Sequence, residues 1–321
     1  MMHRPLVLAI LVITLSAPPW ARAAEKIRVG LDVGVNSLPF WVAMEKGLFA
    51  KHGLQVSDKV FDAGYLGLLA IGAGEGDSSS QSDAPTLTLI GKGIDALVVA
   101  VVARSADNYK IVAKKDIQTA PGLKGRKFGM TLGSASEYVG MKYLAKQGFG
   151  RADVNVVNAD PSELAPLLAR GEIDAACFWE PWGRKTVALA PDRLHVMGTG
   201  KDIYAVNMYL TVRRKFAAEQ RQAVTGLLRG LMEANAYIKA NRKEVTGLFQ
   251  KKHRLDWATA EASVNDFDYV LILDQPIIST MTEVGKWLLE NKKLSTLPDF
   301  AKLIDPSFLR DVAPAAVTYR P

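Results

Sequence analysis

The chain has 321 residues, 49% of them hydrophobic and 23% charged, the balance of an ordered globular protein rather than a disordered or fibrous one. Its formal net charge of +7 is scattered over Lys114-Lys115, Arg213-Arg214-Lys215 and Lys251-Lys252; no basic stripe is interleaved with aromatics, which argues against nucleic acid as a partner. A single cysteine, Cys177, excludes an internal disulfide, so stability must come from a large core rather than from staples.

In chain order, residues 1–23 read as a secretory signal peptide. Arg4 supplies the positive end, Leu6 to Leu15 the apolar stretch, and Ala21-Arg22-Ala23 the small-residue cleavage site. That stretch is too short to span a bilayer, which needs ~20 apolar residues. No cysteine follows it to carry a lipid. The expectation is a soluble periplasmic protein beginning near Ala24, cleaved after Ala23.

From there the chain states one pattern twice. An alternating strand (Ile27, Val29, Leu31) runs into the loop Gly34-Val35-Asn36-Ser37, then a helix carrying Met44 that stops at Gly53. A second strand follows, Val56 to Phe61, and then a helix with Leu68-Leu69-Ala70 and the turn Gly76-Asp77. The second copy repeats it at an offset of roughly a hundred residues. It has Phe128, Met130 and Leu132; Gly133-Ser134-Ala135-Ser136; Met141 and Gly148; Val154 to Val157; Leu167-Leu168-Ala169; and Gly171-Glu172. Alternating strands and helices imply mainly parallel sheets covered by helices. The fold class predicted is therefore α/β with two lobes. Ala96 to Ala103, apolar without alternation, reads as a strand buried on both faces.

Two strand-like connections, Tyr109 to Ala113 and Val206 to Val212, would join the lobes as hinge strands. Beyond them Val224, Leu227, Leu228, Leu231 and Ile238 form one helical stripe, in which Gly226 and Gly230 read as a close-packing notch. Thr280 and Glu283 suggest a capping box opening a later helix. The division expected is residues 24–108 for the first part of lobe one, 109–206 for lobe two and 207–321 for a return to lobe one.

Ligands of open α/β sheets bind beyond the carboxyl ends of the strands, at helix N-termini that suit anions. In lobe one this selects Asn36 and Ser37 with Phe40 beside them, then the hydroxyl-rich segment with Gln81, Ser82 and Asp83. Asn36 and Ser37 serve either the turn or a ligand; Asp83 serves either as a helix cap or as a ligand contact. In lobe two it selects Ser134, Ser136 and Glu137, although Ser134 and Glu137 also have capping-box spacing. Trp179 and Glu180, in the run Phe178-Trp179-Glu180-Pro181-Trp182, stand either in the cleft wall or in the core. His52, His195 and His253 lack metal-ligand spacing, and neither a nucleophile elbow nor a phosphate loop is present. Cys177, inside Ala175-Ala176-Cys177-Phe178, reads as a small buried hydrophobe. Neither catalysis nor a cofactor or metal is expected.

The local sequence adds a resemblance. Pro39-Phe40-Trp41-Val42-Ala43, Glu45-Lys46-Gly47-Leu48-Phe49 and His52-Gly53-Leu54 resemble the opening of the nitrate, taurine, aliphatic-sulfonate and thiamine-precursor binding family. Gly133-Ser134 with Tyr138, and Gly171-Glu172-Ile173-Asp174-Ala175 through Trp179-Glu180-Pro181, resemble its middle. Asp305-Pro306-Ser307-Phe308-Leu309 resembles its end. That family comprises periplasmic solute-binding proteins of ABC importers. The resemblance implies a two-lobed clamshell that closes on a small solute and docks, as a monomer, on a membrane permease driven by a separate ATPase. Contact with the membrane would be through the permease alone. A module reporting solute to a membrane sensor, or a thiamine-pyrimidine enzyme, are the alternatives. The sulfonate-type pattern Asp-x-Gly-x-Thr-Gly-acid-Ala-Pro is only partly kept: Ser79 and Ser82 replace its glycines and Gln81 its threonine. If Asp83, Glu137 and Glu180 all face the cleft, charge repulsion disfavours a dianion and favours a zwitterion or a neutral or aromatic solute.

Overall fold

The computed structural model describes residues 24–320; the expected signal peptide lies outside them. Eleven strands are present among these residues: β1 (Glu25–Asp32), β2 (Leu54–Phe61), β3 (Ser78–Gln81), β4 (Ala96–Ser105), β5 (Tyr109–Lys114), β6 (Lys127–Met130), β7 (Asn155–Asn158), β8 (Ala175–Trp179), β9 (Leu194–Thr199), β10 (Val206–Arg213) and β11 (Asp268–Ile272). They form two sheets, ordered β11-β4-β10-β3-β1-β2 and β7-β6-β8-β5-β9. The fold is two-lobed α/β.

The duplicated script is visible in the pairings. β1 runs parallel to both β2 and β3, and β6 runs parallel to both β7 and β8. The strand arriving from the other lobe is then inserted antiparallel: β10 between β3 and β4, β5 between β8 and β9. The sheets are therefore mixed, a refinement of the mainly parallel expectation. An arriving strand enters from the side where its neighbours end, so it must run against them.

Burial explains why each element forms. β4 is buried without a break from Ala96 to Ala103, as a strand covered on both faces requires. Gly30 of β1 allows the helix Gly64–Gly72 to lie close, since a Cβ there would stand 2.7 Å from the Cα of Gly67. The helix Arg221–Ala240 buries Val224, Leu227, Leu228, Leu231 and Ile238 and packs on the helices Leu38–Glu45 and Leu48–Lys51 of the first lobe. At Gly230 a side chain would collide with the ring of Phe49, so the notch serves packing.

One cap expectation is corrected. The helix begins at Pro276 and runs to Glu290, because Pro at a first helical position presets φ and has no N–H to leave unpaired. Thr280 lies inside it, donating weakly to the Pro276 carbonyl at 3.4 Å. Glu283 turns outward and accepts a hydrogen bond from Tyr138 of the other lobe at 3.0 Å.

Candidate functional site

Where the carboxyl ends of the strands in the two lobes meet, a partly open cavity of about 30 Å³ lies between them. Lobe one contributes Asp32, Asn36, Gly64, Gln81 and Ser82; the second lobe and its entry strand contribute Asn108, Tyr109, Ser134 and Trp179. One water needs roughly 10–15 Å³ of such space, so an organic solute enters only if the lobes separate.

Each wall has a local cause. Asp32 ends β1, and its Oδ1 organises the turn that follows: it accepts from Gly34 N at 2.9 Å, Asn36 Nδ2 at 3.0 Å and Ser37 Oγ at 3.1 Å. Burial pushes the Asp32 pKa up, while those three bonds oppose the rise. Ser134 is the N-cap of the helix Ala135–Ala145, its Oγ accepting from Ser136 N at 3.1 Å. Trp179 ends β8 and is 7% exposed. Its indole N–H has no hydrogen-bond partner among the described residues.

Asn36, Gln81, Ser82, Ser134 and Trp179 of the residues selected from sequence thus stand on the cavity wall. Gln81 is already spent within the protein: its Oε1 accepts from Ser79 Oγ, and its Nε2 donates to Thr86 and Thr211. Ser37 is buried under the turn and Phe40 lies in the core. Ser136 donates to the Cys177 carbonyl at 2.7 Å, tying its helix to β8.

The expectation that three acids meet the solute is corrected. Asp83, inside the first turn of its helix rather than at the cap, accepts from the hydroxyls of Tyr204 and Tyr209. Burial pushes its pKa up to about 6. Glu137 accepts from Gly133 N at 2.9 Å and pairs with Lys293 at 2.9 Å. Glu180 pairs with Arg184 at 2.8 Å, and Arg184 reaches Asp266 of the tail at 2.6 Å; burial pushes the Glu180 carboxyl up to about 7. All three have protein partners, although Glu180 Oε1 has only its ion pair with Arg184 and no hydrogen bond, and none lines the cavity. Asp83 with Tyr204, Glu137 with Lys293 and Arg184 with Asp266 each join the two lobes, as does the bond from Tyr138 of helix Ala135–Ala145 to Glu283 of helix Pro276–Glu290.

Asp32, Gly64, Asn108 and Tyr109 were not selected from sequence. Asp32 carried the available signal, being an acid at a strand's carboxyl end directly before the selected loop. Asn108 and Tyr109 enter through the lobe crossing, which periodicity cannot locate against the cleft. Cys177 is fully buried, with its thiol pushed up to about 12 by burial. Among the described residues no group of three or more His, Cys, Asp or Glu is placed to hold a metal ion. No described helix is long and apolar enough to cross a membrane.

The sequence profile of the NMT1-like family matches residues 21–249. A protein of Bacillus subtilis (strain 168), named for binding aliphatic sulfonates, is 24% identical over 323 residues, covering 96% of this chain and 96% of its own. Among solved structures, the alkanesulfonate-binding protein SsuA from Xanthomonas axonopodis pv. citri, bound to MOPS, superposes with a TM-score of 0.77 at 19% identity. That match covers 94% of this chain and all of the other. The desulfurization enzyme DSZB also shares the fold, with a TM-score of 0.67 at 14% identity over 91% of this chain and 99% of its own. At these identities the superpositions establish the fold alone.

Proposed function

The chain belongs to the NMT1-like family, and from that premise we propose that it is the extracytoplasmic solute-binding component of an ABC importer. It captures a small organic solute between its lobes and delivers it, as a monomer, to a membrane permease served by a separate ATPase. The binding residues on this reading are Asn36, Ser82, Ser134 and Trp179, with Asp32 added. The observation that carries it is the cavity itself, walled by the strand-exit loops of both copies of the repeated unit. A solute touching both walls favours the closed form by its differential affinity for the two states, and no reacting group is needed. Names of relatives that bind sulfonates support a periplasmic receptor. Against the enzyme alternative, the lone thiol is buried and raised in pKa, which leaves no thiolate nucleophile at the cavity.

The test is a thermal-shift screen of the purified protein with sulfonates, taurine, nitrate, aromatic acids and pyrimidines. A ligand at a hundred times its Kd adds ~2.7 kcal/mol to stability, a readily measured rise in Tm. Both Trp179→Ala and Ser134→Ala are expected to abolish that rise; Ser134→Ala leaves the unliganded Tm within a few degrees, whereas Trp179→Ala also lowers it because the indole is buried in the core. Unchanged binding by both variants would remove this cavity as the site.

A further inference from the structure

The cavity's charge pattern points to a particular kind of solute, an inference that rests on the receptor reading above. Among the described residues Asp32 is the only carboxylate on the cavity wall, and no lysine, arginine or histidine lines it. The carboxylate is lopsided. Its three donors, Gly34 N, Asn36 Nδ2 and Ser37 Oγ, all go to Oδ1, and no hydrogen bond from the described residues reaches Oδ2. That second oxygen faces Gly64, where a Cβ would stand 3.1 Å from it, and Gly64 is itself part of the wall. A buried carboxylate without a counter-charge is costly, and a simple anion placed beside it would add repulsion at short range. Across the cavity the chemistry is reversed. The buried indole N–H of Trp179 lacks an acceptor, and the helix opening at Ala135 presents the partial positive charge of its first turn, where Ser134 Oγ already takes the Ser136 N–H.

We propose that the solute is bipolar. A cationic nitrogen, ammonium or amidinium, is held by Asp32 Oδ2 in lobe one, and an anionic or acceptor end lies toward Trp179 and the Ala135 helix start in lobe two. Each end engages a different lobe, so the solute's own length couples the two walls. Unsubstituted anions are the solutes this cavity rejects. Were Asp32 protonated, Oδ2 would instead donate, and anions without nitrogen would bind as well as amines.

The experiment is titration calorimetry with matched probes: taurine against ethanesulfonate, 4-aminobutyrate against butyrate, acetamidine against acetamide, and nitrate alone. At least one nitrogen cation is expected to bind, and to bind more tightly than its nitrogen-free or neutral counterpart. Asp32→Asn retains an acceptor for the turn and is expected to weaken the cation by about ten- to a hundredfold without weakening its counterpart. Equal binding within every pair, preference for nitrate or ethanesulfonate, or an Asp32→Asn protein that holds the cation unchanged would each overturn the bipolar solute while leaving the receptor role standing. If neither these probes nor the wider screen binds, the receptor reading falls and this inference falls with it.

Discussion

β3 and β8 occupy the same place in the repeated unit, each beside the first strand of its copy and each paired antiparallel to the strand arriving from the other lobe. Both are completely buried. One reads Ser-Ser-Ser-Gln and the other Ala-Ala-Cys-Phe-Trp. β8 is held by apolar packing, with Phe178 and Ala176 in a cluster with Leu164, Leu168 and Ile173. β3 is held by a polar net: Ser78 donates to the Thr211 carbonyl at 2.8 Å, Ser79 to Gln81 at 2.7 Å, and Gln81 to Thr86 and Thr211 at 3.1 Å each. One backbone plan is thus satisfied by two chemistries. A buried polar strand is stabilised by pairing its groups with one another; in β3 only the Ser80 hydroxyl is left without a partner among the described residues.

Denaturation of two variants breaks or sharpens that contrast. Phe178→Ala removes a fully buried ring from the β8 cluster, and a loss of ~3–5 kcal/mol is expected from transfer and cavity terms together. Gln81→Leu keeps the volume of the β3 side but strips acceptor and donors from Ser79, Thr86 and Thr211. The three hydroxyls keep other partners, Ser79 and Thr211 with each other and Thr86 on the Ser82 carbonyl, so the lost bonds are expected to cost ~1–2 kcal/mol. A neutral Gln81→Leu would mean that β3 is stabilised by its neighbours' packing and not by its own net.

The same contrast explains what could be read before the structure. β4 and the stripe Val224 to Ile238 announce themselves because burial writes directly into apolar pattern. The repeat was legible for the same reason. β3 was readable only as a hydroxyl-rich segment, since hydrophobic periodicity is blind to a strand whose partners are side-chain hydroxyls 130 residues away, as Gln81 and Thr211 are. Within the site, the loops Asn36 and Ser134 were found by topology. For Asp83, Glu137 and Glu180 the choice between ligand and structural role stayed open because a sequence shows an acid but not its partner: Tyr204, Lys293 and Arg184 come from distant parts of the chain or from an unforeseen turn of helix.

The buried acids also give the net a pH signature. The folded pKa of Asp83 stands at about 6, above its ordinary 3.8, because burial outweighs the hydrogen bonds from Tyr204 and Tyr209. Protonated Asp83 is therefore favoured by folding. Its contribution is fully present below the unfolded value and is lost as pH rises through the folded one. Glu180, pushed up to about 7, acts in the same direction. Asp77 acts oppositely: burial raises it, but hydrogen bonds from Arg28 and Arg213 prevail and lower it, so its contribution is lost on acidification. Between pH 5 and 7, wild type is expected to lose roughly 1 kcal/mol relative to Asp83→Asn. Parallel stability profiles for the two proteins would place the charge of Asp83 outside the folding equilibrium.

The smallest expected effect concerns how the two lobes hold each other. Glu137 is 2% exposed at its side chain, and Lys293 from the opposite lobe reaches it at 2.9 Å, with Arg151 farther off at 3.7 Å. Beside this pair Glu283 receives Tyr138 at 3.0 Å and Lys142 at 3.3 Å. Lys293→Ala leaves Glu137 with Gly133 N and the distant Arg151, a loss expected near 1 kcal/mol because the lysine is partly solvated. That energy belongs to the closed form, since only closure brings Lys293 to Glu137. The variant should therefore show a larger radius of gyration by X-ray scattering in the unliganded state and a solute affinity lowered a few-fold at low salt, with the difference shrinking as salt is added. The Arg184–Asp266 pair across the cleft at 2.6 Å supplies the control: Asp266→Asn should open the lobes in the same way. If Lys293→Ala lowers the melting temperature but leaves scattering and affinity untouched, the pair stabilises the tail of lobe one and does not act as a latch between the lobes.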